Sequence, residues 1–398
     1  MANNYNGFGR TIRRTKNSLV NFMTTKGKQN LIVIGALVVL AAIFYVLNPN
    51  FLRASNIVSM TQSLAPYAIM ALGVTFVIAT GGIDLSIGTV CIASAVIAGK
   101  LYMEGMPLWA TIPVMIAIGT LFGVINGLLV AKLKLPAFIA TLGTMMLSRG
   151  LSAIIAAIPN IFFFSRPEDD GVWFKKLFSN ADGFPTGLIW VLALALLCMY
   201  LMYKCKIGRY ILSIGSNEEA TRLSGINADK YKIIAYTIGG MAAGIAAIFW
   251  AASFPTVAAA TGNGMELDTI AGVYIGGTSA AGGVASIAGS VIGNIMLVVI
   301  RSGLNFVLAK FNLNLNSTYV TYVLTGIIVV VAVLMDVLKN KRAAKVKIET
   351  EKDVAKRLRK QALADKEDEI DAVLADKLLT KEEKVARVSA IEDEIAQM

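Results

Sequence analysis

The sequence predicts an all-α polytopic membrane protein of about ten transmembrane helices with inverted repeats, and three features of the chain predict it. Of its 398 residues, 56% are hydrophobic and only 16% charged, with a mean hydropathy of +0.65. Those values lie outside the range of an ordinary soluble domain. Several apolar runs reach the ~20 residues that a helix needs to cross a bilayer. A short Asp-bearing motif also recurs in the two halves of the chain, a common feature of transporter architecture.

Hydropathy places the spans at about 31–47, 57–80, 86–100, 109–131, 137–157, 187–203, 231–252, 266–281, 284–301 and 318–338. The third and eighth are short or interrupted by glycine, and each has an aspartate near its start, Asp84 and Asp268. The chain thus divides into a cytosolic leader at 1–30, a membrane domain at 31–338 and a cytosolic helical tail at 339–398. The basic leader carries about thirty polar residues before the first apolar run. It is expected to be retained ahead of a signal anchor, unlike a secretory signal peptide.

Basic residues set the orientation. With the N-terminus cytosolic, the inside connections before the tail hold fourteen Lys and Arg, and the outside connections hold seven, Arg301 among them. Both termini are therefore expected inside. The net charge of +11 is largely this flanking charge and does not point to nucleic acid.

Several chemistries are excluded. There is no histidine, which removes HExxH zinc hydrolysis and Ser-His-Asp catalysis. Of the three cysteines, Cys91 and Cys198 lie within apolar runs and Cys205 at a basic edge, so no disulfide framework is expected. No cofactor and no cluster of metal ligands is implied. A GxxxxGK[ST] phosphate loop is missing, so the chain does not bind ATP in that manner.

The repeat pairs GGIDLSIG at 81–88 with GMELDTIAG at 264–272. Each is followed in the next span by a similar run, VINGLLV with Asn126 and VIGNIMLVV with Asn294. In the orientation above the two motifs fall at opposite membrane faces, which makes spans 2–5 and 7–10 inverted copies. An aspartate near hydrocarbon must be paired or capping. Asp84, followed by Ser86, is expected to cap the third span, and Asp268, beside Glu266, to cap the eighth; substrate contact is the alternative for each. Asn126 and Asn294 need buried partners and should face the bundle interior. Arg149, well inside the fifth span, must snorkel, pair with an acid or line a wet cavity. Asp84, Ser86, Asn126, Arg149, Glu266, Asp268 and Asn294 are the candidates for the translocation path or gate.

A polar island at 204–232 separates the sixth and seventh spans. Within it, Ser216 and Glu219 match a capping box, and Gly225 supplies a left-handed stop about two turns later. A helix that short is marginal alone and needs a surface to lie on. On the cytosolic side it is a candidate handle for a soluble partner, carried by Ser216, Asn217, Glu218, Glu219, Ala220 and Gly225.

Two further segments stand apart. The outer loop at 159–185, with Trp173 and Phe174, is expected to be a membrane-hugging connector or an interfacial amphipathic element. In the tail, residues 339–360 carry ten basic and three acidic side chains, a pattern attracted to anionic lipid. Beyond it Ile370, Val373, Leu374 and Leu378 recur at helical spacing, and a second capping box, Thr380 with Glu383, starts another helix. A helical hairpin is expected, either as a solvated accessory or in contact with the partner of the island.

Taken together, GGIDLSIG, NGLLVAKLKLPAFIATLGT at 126–144, GSNEEATRLSGIN at 215–227 and ELDTIAGVYIGGTSAAGG at 266–283 resemble the monosaccharide branch of bacterial ABC importer permeases, the ribose and galactose/methyl-galactoside permeases. The resemblance covers about residues 30–338, and only the long tail departs from it. It implies a homodimer in the bacterial cytoplasmic membrane, two copies of a cytosolic ATPase or a fused tandem one, and an extracytoplasmic sugar-binding protein. It implies a fold similar to the vitamin B12-type importer permeases, with the island as the ATPase-coupling helix. The chain would be a transport subunit and not an enzyme. Rival readings are a permease for a nucleoside or branched-chain amino acid, an ion-coupled carrier and, more remotely, a membrane enzyme.

Overall fold

The structure, a computed structural model, describes residues 31–157, 160–163, 171–180, 182–254, 256–258, 261–311, 317–375 and 379–397. The leader at 1–30, Pro159 and Arg166 of the outer loop and Leu378 of the tail lie outside the described residues. The chain forms two compact units, one up to Asp336 and one from Val337 onward.

A helix stands at each of the ten apolar segments. In chain order these are α1 (Leu31–Leu47), α2 (Ala54–Ala79), α3 (Ile87–Met103), α4 (Leu108–Ala131), α5 (Ala137–Ala156), then, after a short α6 (Val172–Phe178), α7 (Thr186–Tyr203). The island contributes α8 (Lys206–Ser216) and α9 (Glu218–Leu223), and α10 (Ala228–Ser253), α11 (Met265–Ile275), α12 (Ile287–Lys310) and α13 (Ser317–Ala375) complete the set before α14 (Lys381–Gln397). Six of them, α2, α4, α5, α7, α10 and α12, are long and apolar enough to cross a membrane; α1, α3 and the apolar stretch of α13, Tyr319–Val331, are shorter. The only strand pairing among the described residues is the antiparallel β1 (Ile161–Phe162) with β2 (Thr256–Val257).

Helix α2 is the axis of the first unit. Of its most apolar stretch 83% is buried, against 22% for α7, and it packs on α10, α12, α7 and α11. The outer helices turn apolar side chains outward: Leu142 and Met146 on α5, Leu192 and Leu196 on α7 are all exposed. In a bilayer such a surface faces solvent that is as apolar as itself, so helix association must come from close packing.

Glycine provides that packing. Gly119, Gly123 and Gly127 recur every four residues on α4 and meet α10 at Gly240, Gly244 and Ile233. A Cβ added at Gly119 would sit 2.4 Å from the Gly240 carbonyl oxygen, and one at Gly123 2.5 Å from the Tyr236 carbonyl oxygen. The same device joins α11 to α12, where a Cβ on Gly293 would lie 2.0 Å from the Gly272 oxygen. Only hydrogen fits at these crossings.

One expectation changes. Arg301 does not lie in an outside connection: it sits in the body of α12, because the helix continues to Lys310. The outer loop is partly helical, with Phe174 and Phe178 of α6 buried and Val172, Trp173 and Leu177 partly exposed. Helix α13 runs through 59 residues, Ser317–Ala375. Neither Gly nor Pro occurs after Gly326, so nothing in the chain stops the helix.

In the second unit α14 folds back on α13. Lys366 bridges Glu369 at 2.8 Å and Glu394 at 2.6 Å, Lys384 donates to the Leu374 carbonyl at 2.7 Å, and Ile391 is buried. The capping box at Thr380 forms, with the Thr380 N–H donating to Glu383 at 3.0 Å. That backbone bond, with a second from the Thr380 hydroxyl, holds the Glu383 carboxyl below its usual range.

Two outcomes follow from this packing. Gly123→Leu and Gly240→Val should abolish the monodisperse peak of the detergent-solubilised protein in size-exclusion chromatography. Gly143→Ala, where nothing lies within 4 Å, should leave that peak unchanged. In the tail, a depressed Glu383 contributes stability that is fully present above the ordinary Glu value of about 4.3 and lost as pH falls through the lower folded value. Amide exchange at residues 381–385 should therefore be unchanged from neutral pH down to about pH 5 once corrected for intrinsic rates. It should lose protection below that, and Thr380→Ala should remove the protection at every pH.

Candidate functional site

The island folds as two helices where one was expected. Ile207, Ile211 and Ile214 give α8 an apolar stripe, with Ile211 and Ile214 buried, and this stripe carries the helix through Ser216. Ser216 is therefore not the cap of the next helix. Asn217 takes that role from an extended backbone (φ −161°, ψ 104°), and its side-chain oxygen accepts the Ala220 N–H at 2.9 Å. Glu219 is left exposed without a reciprocal bond to Ser216. Gly225, at φ +81°, ends the turn as expected.

What the pattern did not reveal is how α9 is held and what it presents. Thr221 is its one buried residue, hydrogen-bonded to Ser213 of α8 at 2.8 Å and to the Asn217 carbonyl at 2.7 Å. Its exposed face carries Glu219, Ala220 and Leu223, the last 85% exposed. Leu223 thus leaves apolar surface open on an otherwise charged helix. No sequence signal marked it, because a single leucine in a polar stretch is equally suited to packing inward.

Charges tie α9 to its surroundings. Glu218 accepts from Arg222 at 2.8 Å and from Lys232 of α10, while Asp229 of α10 pairs with Arg222 and, at 2.7 Å, with Lys134 in the α4–α5 turn. Partial burial pushes the Glu218 carboxyl up, but the bonds from Lys232 and Arg222 and their charges outweigh it and hold the group below the usual carboxylate range. A cavity of about 360 Å³ opens beside this network, bordered by Thr80, Lys134, Glu218, Lys232 and Tyr236.

The base of the island meets the membrane helices through backbone. A Cβ on Gly215 would lie 1.9 Å from the Ala79 oxygen at the end of α2 and 2.4 Å from the Gly283 nitrogen in the α11–α12 turn. Gly283 itself donates to the Ala79 carbonyl at 3.0 Å. The Tyr203 hydroxyl, just ahead of α8, donates to Ala285 at 3.1 Å and accepts the Ile287 N–H at 3.2 Å. So α8 meets the end of α2 and the α11–α12 turn directly, and α9 is linked to the α4–α5 turn through Asp229 of α10.

Inside the bundle the candidate polar residues fall into two networks. Asp84 is buried, and one of its oxygens accepts both the Ser86 N–H at 2.9 Å and the Ser86 hydroxyl at 2.6 Å. It does not cap α3, which starts at Ile87 with Ser86 in the cap position; it braces the turn ahead of the helix. Asn126 donates to Ser86 at 2.8 Å and accepts from Thr144 of α5 at 2.6 Å. These bonds join the turn before α3 to α4 and α5.

The second network is built around a charge pair. Asp268 does not cap α11, whose cap position is Gly264. Lying in the first turn, it pairs with Arg301 of α12 and accepts from Thr325 of α13 at 2.9 Å. Desolvation makes an unpaired aspartate at this depth far costlier than a capping one. Asn294 is buried and donates to the Ser290 carbonyl at 2.9 Å. The structure does not bring Arg149 into either network: its Nε is buried without a hydrogen-bond partner, and its charge acts on Glu266, one of whose oxygens is likewise unpartnered. Among the described residues no cluster of His, Cys, Asp or Glu is suited to a metal ion.

Comparison with known proteins fits this arrangement. The ribose import permease RbsC of Escherichia coli K12 is 36% identical over 303 residues, 76% of this chain and 91% of the relative. RbsC of Bacillus subtilis is 34% identical over 301 residues, 75% and 90%, and the D-allose transport permease AlsC of Escherichia coli K12 is 31% identical over 308 residues, 77% and 90%. No solved structure matches significantly. The family model described as "Branched-chain amino acid transport system / permease component" matches residues 56–333, and the chain belongs to that permease family.

Proposed function

We propose that this chain is the membrane permease of an ATP-binding cassette importer that moves a monosaccharide across the bacterial cytoplasmic membrane. The observation that carries the proposal is the α8–α9 handle, a charged, capped element packed through backbone on the end of α2 and the α11–α12 turn and tied by ion pairs through α10 to the α4–α5 turn. The names of its relatives, which are import permeases for ribose and allose, supply the substrate class. The family description names branched-chain amino acids, and that is the second reading.

In this reading the ten apolar helices all span or enter the membrane as inverted repeats, in a fold similar to the vitamin B12-type permeases. Reciprocal packing supports the repeat: α4 of the first half lies on α10 of the second, and α12 of the second lies on α2 of the first. Two copies of the chain pair, with both termini and the island in the cytosol. A cytosolic ATPase, as two chains or one fused tandem, grips α9, and an extracytoplasmic binding protein docks on the opposite face.

The lever acts by geometry. Closure of the ATPase moves α9, the salt bridges carry that movement to α10 and the α4–α5 turn, and Gly215 carries it to α2 and the α11–α12 turn. Asp84 with Ser86 and Asn126, and Asp268 with Arg301, hold the helices that must part; breaking or keeping these pairs gates the path. Arg149, Glu266 and Asn294 complete its polar lining. Few charged groups line the spans, which suits a neutral polyol.

The deciding experiment co-purifies the chain with its ATPase and measures ATP hydrolysis with each candidate solute on its binding protein. Stimulation by a sugar-loaded binding protein is expected. Stimulation by leucine alone, or uptake insensitive to vanadate that collapses with an uncoupler, would sink the proposal.

Substitutions in the handle give a second check. Asn217→Ala removes the cap, a loss of about 1 kcal/mol on a helix of under two turns, and Leu223→Asp places a charge on the exposed knob. Either should cut sugar uptake tenfold or more and weaken recovery of the ATPase with the permease. Membrane insertion should stay normal. Unchanged uptake in both would remove α9 from the coupling role.

A further inference from the structure

On the face opposite the island the first unit holds a second cavity, of about 260 Å³, between the start of α2, the end of α10 and the later turns of α12. Its size is just under the roughly 300–1,000 Å³ of pockets that enclose drug-sized ligands, and it suits one sugar ring. Trp250, Tyr67 and Phe254 supply aromatic surface, while Ser63, Arg301 and Asn305 supply polar groups.

Three features mark it as a binding site and not a packing gap. The Trp250 ring lines the cavity, and its indole N–H is shut off from solvent without a hydrogen-bond partner, so a small turn of the ring towards a ligand would give that donor the bond it lacks. The Arg301 guanidinium lies over the Tyr67 ring, 4.9 Å from its centroid, so one charged donor and one aromatic face are held together. And the groups are mixed in the way a pyranose or furanose is mixed: apolar C–H faces for stacking, hydroxyls around the rim for amide, hydroxyl and guanidinium partners.

We propose that this cavity is a monosaccharide-acceptor site of the permease itself, with Trp250 as stacking platform and Arg301 and Asn305 as the polar contacts. The inference rests on the reading of the chain as a sugar permease, and it adds a place where sugar leaving the binding protein first meets the membrane subunit. Arg301 gives the site a connection. The same guanidinium pairs with Asp268, which also accepts from Thr325. A sugar hydroxyl that draws on Arg301 weakens its hold on Asp268, so occupancy is relayed to α11 and α13. A permease with this site selects among sugars weakly, after the binding protein has selected first.

The test uses the full chain in lipid nanodiscs without binding protein, titrated with D-ribose, D-allose and, as control, L-leucine, and followed by saturation-transfer NMR. Millimolar binding of at least one sugar and none of leucine is expected. Trp250→Phe, which keeps a ring and removes the N–H, and Asn305→Ala, at an exposed position, should each weaken binding at least fivefold. Trp109→Phe, at an exposed position outside the cavity, should not. Equal binding by wild type and both cavity variants, or no sugar binding at all, overturns the site. The sugar-stimulated ATP hydrolysis of the assembled importer separates the two claims: if it persists while the cavity fails, the permease reading stands alone. If leucine binds and stimulates in place of sugar, both fall.

Discussion

Everything in the membrane unit depends on how closely α4 and α10 approach. In a bilayer no hydrophobic force drives helices together, because lipid is as apolar as leucine, and van der Waals contact at short range must do it. Gly119, Gly123 and Gly127 against Gly240 and Gly244 bring backbone to backbone, with carbonyl oxygens where side chains would otherwise stand. Gly73 extends the contact to α2, where an added Cβ would lie 2.4 Å from the Ala242 Cβ. The same economy recurs between α11 and α12. Once these crossings are set, the ends of α2, α4 and α10 have fixed positions, and the loops that join them have little freedom.

That rigidity gives the island its leverage. A flexible attachment would absorb any push, whereas Gly215 against Ala79 and Gly283 is a backbone contact that cannot yield without moving a helix end. Around it the ion pairs of Glu218, Arg222, Asp229, Lys232 and Lys134 are partly exposed, and single pairs of that kind contribute little stability. Their value is directional: they make α9 and the adjoining ends move together.

The buried polar groups divide the labour differently. Asp84, Ser86, Asn126 and Thr144 form a chain of short hydrogen bonds. Asp268 is satisfied by a charge on another helix and a hydroxyl on a third. The first network braces one end of the bundle, and the second links helices on a face that opens to a cavity. Two sequence motifs that look alike thus serve unlike local geometries, because the residue across from each differs: an asparagine for one, an arginine for the other.

The sequence alone determined the all-α membrane class, the apolar segments in which helices stand and the presence of a short capped helix within the polar island. Hydropathy, glycine stops and cap residues are local, so physical rules of short range reach them. It misassigned the cap by one residue, since Ser216 and Asn217 are both cap formers and only the packing of α8 decides which one is consumed. It left Asp268 as a cap and Arg301 as a loop residue, since their pairing spans more than thirty residues of chain. Leu223 as an exposed knob and the cavity at Trp250 were invisible for the same reason. Which face a side chain turns, and which distant partner meets it, is decided only when the glycine crossings fix the helices against one another.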